Sequence, residues 1–142
     1  DAITRERMNL ELLGIRQAYD YTAIMVTHSI PEAVFLADRV LVMYAGRIVE
    51  QGRVSDVLAR PTHPYTRGLL ASQPGFARPG SRLSTIRGMV PALTRLPAGC
   101  RFRDRCDFAE AACAQNDPHL TVIGVGHAVA CPVLAARAPE VR

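Results

Sequence analysis

The chain has 142 residues, 49% of them apolar, with 17 basic and 13 acidic side chains and a net charge of +4. That length suits one ordinary domain or two small ones, and interspersed acids and arginines describe a mixed solvated surface rather than a nucleic-acid stripe. No apolar run approaches the roughly 20 residues that span a bilayer, and nothing resembles a signal peptide. Every basic residue is arginine. A phosphate-binding loop of the form G-x-x-x-x-G-K-[ST] sets its lysine against the β and γ phosphates, so these residues contain no such loop.

In chain order, residues 3–19 read as an amphipathic helix. A helix already under way near Asp1, with no initiating methionine, is what a fragment or a truncated reading frame is expected to present. Ala23-Ile24-Met25-Val26 is a short apolar run suited to a strand covered on both faces. Thr27 and His28 follow at its carboxyl end, where open α/β sheets place ligand sites. Ser29 and Glu32 form an S-x-x-E capping box with Pro31 in the first turn, which predicts a helix to about Ala37. A histidine delivered to that junction is placed to meet a phosphate. Residues 40–44 predict a second strand, Ala45 and Gly46 a turn, and residues 47–50 the return strand.

Ser55 is read as the cap of a short helix through Ala59 that Pro61 stops. Pro61-Thr62-His63-Pro64-Tyr65 leads into another short helix, with Tyr65, Leu69 and Leu70 as packing residues and no chemistry demanded of His63. Residues 73–82 are rich in Pro and Gly and read as a linker. Short strands are expected at 83–86 and 88–90, and residues 135–142 read as a fraying tail.

The four cysteines, Cys100, Cys106, Cys113 and Cys131, are spaced C-x5-C-x6-C-x17-C, with none earlier in the chain. Their concentration argues for joint use. In a cytosolic protein, metal ligation is favoured over disulfides. The spacing departs from the C-x2-C pattern of zinc ribbons. Thiolate ligation of a [4Fe–4S] cluster tolerates varied spacing but needs four convergent cysteines and a dry pocket, which Phe102, Phe108 and Val129 would supply. Zinc, and thiols left unligated or partly disulfide-bonded, are the alternatives. His119 and His127 are spare ligand candidates for which surface polar roles are the plainer expectation. Arg101, Arg103 and Arg105 alternate as on a solvated face, and would also offset the charge of a tetrathiolate site.

Thr27-His28, Glu32-Ala33, Asp38-Arg39, Val42-Met43, Gly46, Ile48 and Gly52 together resemble the end of the ATP-binding subunit of an ABC transporter. The His63-Pro64-Tyr65 triplet resembles a motif of the oligopeptide and dipeptide importers, a group with nickel-transporting relatives. Gly99-Cys100-Arg101-Phe102, Arg105-Cys106, Cys113, Pro118, Leu120, His127 and Val129-Ala130-Cys131 resemble the C-terminal extension of the same ATPases. The resemblance implies an α/β fold: the C-terminal part of an ABC-type (P-loop NTPase) nucleotide-binding domain over 1–72, a linker over 73–82, a small cysteine-rich module over 83–134 and a tail over 135–142. It makes His28 the switch histidine, catalytic and nucleotide-binding through the γ-phosphate of ATP, and Asp1 the last residue of the D-loop that reaches across a nucleotide sandwich dimer.

The same resemblance implies ATP with magnesium, held mainly by parts of the family's domain other than these residues, and a [4Fe–4S] cluster on Cys100, Cys106, Cys113 and Cys131. The implied partners are transmembrane permease subunits and a second ATP-binding subunit. Neither direct contact with the transported solute nor nucleic acid beyond the nucleotide is expected. The implied location is peripheral, on the cytoplasmic face of the inner membrane. Without the Walker A, signature and Walker B segments, this polypeptide is expected to be inactive in ATP hydrolysis by itself. The wording THSIPEAVFLADRV is as close to importers of sulfonate or nitrate, which stand with nickel as alternative cargoes. Two readings of other classes are a stand-alone metal-binding or redox-sensing module and an arginine-rich zinc module on nucleic acid.

Overall fold

The computed structural model describes residues 2–19, 21–76 and 83–137. Most of the expected linker (77–82) and the end of the expected tail (138–142) lie outside the described residues. The chain divides into two units, residues 1–38 and 39–142.

The first unit holds α1 (Ala2–Ala18) and α2 (Ile30–Leu36). Half of the expected capping box forms: Ser29 is the N-cap of α2, Pro31 sits in the first turn, and the Ser29 hydroxyl accepts the Glu32 N–H at 3.4 Å, while the Ser29 N–H is taken by Thr27 Oγ1 instead of the Glu32 carboxylate. Arg16, in the last turn of α1, donates to the Leu36 carbonyl at 3.0 Å and pairs with Asp38. The end of α1 is thereby tied to the end of α2. The expected strand at 23–26 does not form. Residues 21–27 carry no ladder, and Ile24 and Val26 are 92% and 93% exposed. A parallel strand is stable only between neighbours that take its N–H and C=O groups and cover both faces; among the described residues no strand lies beside this one.

The second unit begins with the hairpin of β1 (Arg39–Tyr44) and β2 (Arg47–Arg53), as expected from its sequence. Its two-residue turn has φ of +46° at Ala45 and +78° at Gly46. Positive φ at both positions is the type I′ pattern, which matches the twist of the flanking strands. Glycine takes that conformation freely, whereas an alanine there costs about 1 kcal/mol. Arg101 clamps the turn through a 2.6 Å hydrogen bond from Nη1 to the Ala45 carbonyl.

The β1–β2 register shifts so that Val42 faces Glu50 while Met43 faces Ile48. Val49 is therefore the extra residue of a bulge, and Val49 and Glu50 are both buried where a regular strand would alternate. Two later strands complete the sheet. β4 (His127–Val129) pairs with β2, and β3 (Thr121–Gly124) pairs with β4, giving the antiparallel order β1-β2-β4-β3. The hairpin and the cysteine-bearing segment thus share one sheet.

Short helices decorate this sheet: α3 (Val54–Ala59), α4 (Pro64–Ala71), α5 (Ala112–Gln115) and α6 (Pro132–Ala135). α3 begins two residues earlier than a Ser55 cap would set it; Arg53 holds the cap position without a side-chain cap, and Ser55 lies inside the first turn. The strands expected at 83–86 and 88–90 do not form. Arg105 instead pins that segment, donating to the carbonyls of Arg87 at 2.7 Å and Ile86 at 3.3 Å. Its guanidinium also lies 5.8 Å and 5.9 Å from the ring centres of Tyr44 and Phe102. Tyr44, Val49 and Phe102 form the core, with Tyr65, Ile86, Cys100 and Cys106 packed against it.

Candidate functional site

His28 stands on the turn that enters α2, and its side chain is exposed. The turn is braced on both sides of it. Thr27 Oγ1 accepts the Ser29 N–H at 3.0 Å and donates its own hydrogen to Glu32 Oε2 at 2.5 Å, while Ser29 caps the helix. Three side chains local in sequence, Thr27, Ser29 and Glu32, therefore fix the backbone around an imidazole that is open to a ligand. Asp1, the other expected nucleotide contact, lies outside the described residues.

The His-Pro-Tyr segment has a physical role that sequence reasoning missed. Pro64 opens α4, and His63 is its N-cap: Nδ1 accepts the Tyr65 N–H at 3.1 Å. The proton of the neutral ring must then sit on Nε2. His63 is 1% exposed, and burial pushes its pKa down to about 4. The readable signal was the proline itself, since Pro at the first helical position marks the preceding residue as a cap.

Beneath this loop lies Glu50, fully buried at 0% exposure. Oε1 accepts from the Thr62 N–H at 2.8 Å and from His127 Nε2 at 2.8 Å, and Oε2 accepts from the His63 N–H at 2.9 Å. His127 is buried, not on the surface as expected from sequence, because β4 docks against β2 and carries it to Glu50. His119 is exposed, in line with a surface role. One carboxylate thus joins the hairpin, the His-Pro-Tyr loop and the last strand. Above it, Phe102 is ringed by Tyr44, Tyr65 and His63 at centroid distances of 5.1, 5.6 and 5.9 Å.

All four cysteines are reduced and half-buried, and Cys100 and Cys106 pack against that aromatic core. Phe102 and Val129 are buried as a dry pocket requires, whereas Phe108 is partly exposed. The Cys106 sulfur accepts the Phe108 N–H at 3.3 Å. Burial pushes the Cys106 thiol up, and Cys131, Cys100 and Cys113 are near enough to add to that rise. Burial likewise raises Cys100, with Cys113 adding, and raises Cys131, with Cys100 and Cys113 adding. The donor chemistry, four neighbouring thiols with one N–H already aimed at sulfur, fits thiolate ligation. The positions are not set for it: among the described residues, no group of three or more His, Cys, Asp or Glu side chains stands in metal-holding geometry.

Residues 49–113 match the family model described as the oligopeptide/dipeptide transporter, C-terminal region. The chain is 50% identical over 112 residues to a peptide ABC transporter ATP-binding protein of Sinorhizobium fredii, covering 78% of this chain and 33% of that protein. It is 46% identical over 114 residues to a peptide import ATP-binding protein of Brucella ovis, covering 76% and 34%. A peptide import ATP-binding protein of Brucella melitensis is 39% identical over 131 residues, covering 92% and 39%. The chain spans about a third of the length of the first two relatives. Among the described residues no helix is long and apolar enough to cross a membrane. The His-Pro-Tyr loop, Phe102 and the first three cysteines all lie inside the span, residues 49–113, that is similar to the C-terminal region of the oligopeptide/dipeptide transporter.

Proposed function

We propose that this chain serves the ATP-binding subunit of an ABC importer that couples ATP hydrolysis to uptake of oligopeptides or dipeptides. The single observation that carries the reading is the match of residues 49–113 to the transporter C-terminal region, together with the names of the similar proteins. Within it His28 is the residue for the γ-phosphate. Its exposure on a braced turn supports that role, because a transition-state clamp needs a donor held in place before charge develops. Permease subunits in the membrane and a second ATP-binding subunit are the partners, and the working position is peripheral, on the cytoplasmic face of the membrane.

Cys100, Cys106, Cys113 and Cys131 are the set that would hold a [4Fe–4S] cluster, with zinc as the alternative occupant. The neighbourhood of the four thiols and the Phe108 N–H on Cys106 support it. Bound there, such a group would supply structural cross-linking between the loop after Gly99 and the segment after the last strand, with Cys100 and Cys106 held against the Phe102 core. Iron, sulfide and zinc analysis of anaerobically purified protein tests this. Cys106→Ser should lose the metal, and full retention of metal would reject that ligand.

Transport is tested in cells lacking this coding sequence. Uptake of a labelled tripeptide should fall to background and return with the native gene. Unchanged uptake in the deletion strain would overturn the assignment.

A further inference from the structure

A complete capping box joins the N-cap residue and the third helical residue to each other and leaves the residue before the cap outside the ring. The ring that opens α2 is larger. The Ser29 hydroxyl accepts the Glu32 N–H at 3.4 Å, as in that box, but the Ser29 N–H donates to Thr27 Oγ1 at 3.0 Å and Thr27 Oγ1 donates to Glu32 Oε2 at 2.5 Å. His28 is thereby enclosed between two residues that one closed set of hydrogen bonds holds. Thr27, Ser29 and Glu32 are partly buried, while His28 is exposed. A threonine hydroxyl has a single proton. With that proton committed to the Glu32 carboxylate, the Ser29 N–H meets an oxygen lone pair. Without the carboxylate the proton turns freely, and over part of its range it opposes the Ser29 N–H.

We infer that Glu32 is a positioning residue for His28, acting through the Thr27 hydroxyl. This role rests on His28 serving the γ-phosphate, as proposed above. Glu32 itself does not meet the nucleotide; it holds the backbone on both sides of the imidazole, so that the ring is presented in one direction before charge develops on the phosphate. A displacement of about 1 Å in a reacting group can cost about a hundredfold in rate. Releasing the turn should therefore be felt in turnover and much less in the binding of ATP.

The test measures ATP hydrolysis and ATP binding in the intact ATP-binding subunit assembled with its permease. Glu32→Ala should lower turnover by about ten- to a hundredfold, with ATP affinity changed by no more than about threefold. Glu32→Gln should recover most of that loss, because its side-chain oxygen still accepts the Thr27 O–H. Thr27→Val has nearly the same shape without the hydroxyl and leaves Ser29 as the cap. It should reproduce the Glu32→Ala defect, and it carries the test if Glu32→Ala fails to assemble. Added to His28→Ala, Glu32→Ala should lower turnover by less than about twofold more, since a group that acts through His28 then has nothing left to position. Full turnover in Glu32→Ala or Thr27→Val would overturn the inference. So would a glutamine variant as impaired as the alanine, or losses that multiply in the double variant. With His28→Ala impaired, any of these rejects Glu32 alone; native turnover in His28→Ala would overturn both this role and the γ-phosphate assignment.

Discussion

Replacing Glu50 by glutamine tests the buried network at its centre while keeping the side chain's shape. Three donors converge on two carboxylate oxygens: the Thr62 N–H and His127 Nε2 on one, the His63 N–H on the other. Glutamine offers one oxygen and one NH₂. Its best placement puts the oxygen opposite Thr62 and His127 and turns the NH₂ toward the His63 N–H, so that two donors face each other. A buried donor left unsatisfied costs about 1 to 3 kcal/mol, and the two surviving bonds lose their charge assistance. Together these predict a loss of about 3 kcal/mol, a large fraction of a small domain's stability. Urea unfolding followed by tyrosine fluorescence measures the total, and amide hydrogen exchange assigns it. Protection of the His63 amide should fall by about a hundredfold, since each 1.4 kcal/mol is a factor of ten. A loss below about 1 kcal/mol, with the His63 amide as protected as in the native chain, would refute the network as drawn.

Burial holds His63 neutral with a pKa near 4, against 6.5 for the ordinary side chain. The unfolded chain takes up this proton first, so stability is full above about pH 6.5, falls by about 3 kcal/mol as the pH drops toward 4, and then levels. His63→Asn keeps an acceptor for the Tyr65 N–H and should flatten that slope in urea titrations at pH 7 and pH 4.5; an identical slope would remove His63 as its source. Ala45→Gly relieves the positive φ in the hairpin turn and should stabilise by about 0.5 to 1 kcal/mol, a gain that thermal unfolding would show as a higher midpoint. Gly99→Ala drives a methyl group into the Cys113 carbonyl and should cost about 3 kcal/mol; stability equal to the native chain would contradict the close approach of these segments.

What could be read from the sequence was local. The Ser29 cap and the Ala45-Gly46 turn are decided by neighbours within three residues, and both stand where spacing put them. The apolar run at 23–26 carries the composition of a buried strand, but composition cannot supply the neighbours that complete its hydrogen bonds. Glu50 was invisible as a buried group because its inward direction depends on the bulge at Val49, and a one-residue slip reverses which face a strand residue occupies. His127 was misplaced for a related reason: its burial follows from pairing with a strand 77 residues earlier. Of the candidate site residues, the cysteines drew attention by type and grouping. The buried carboxylate of Glu50 and the capping imidazole of His63 have no such signal beyond Pro64.

The central claim is most directly tested by ATP hydrolysis in the intact ATP-binding subunit assembled with its permease, comparing native protein with His28→Ala. Loss of one positioned donor to developing charge predicts turnover reduced by about 100-fold or more, with ATP affinity changed only a few-fold. Unaltered turnover in the variant would contradict the role given to His28 and, with it, the mechanism through which this chain is held to act.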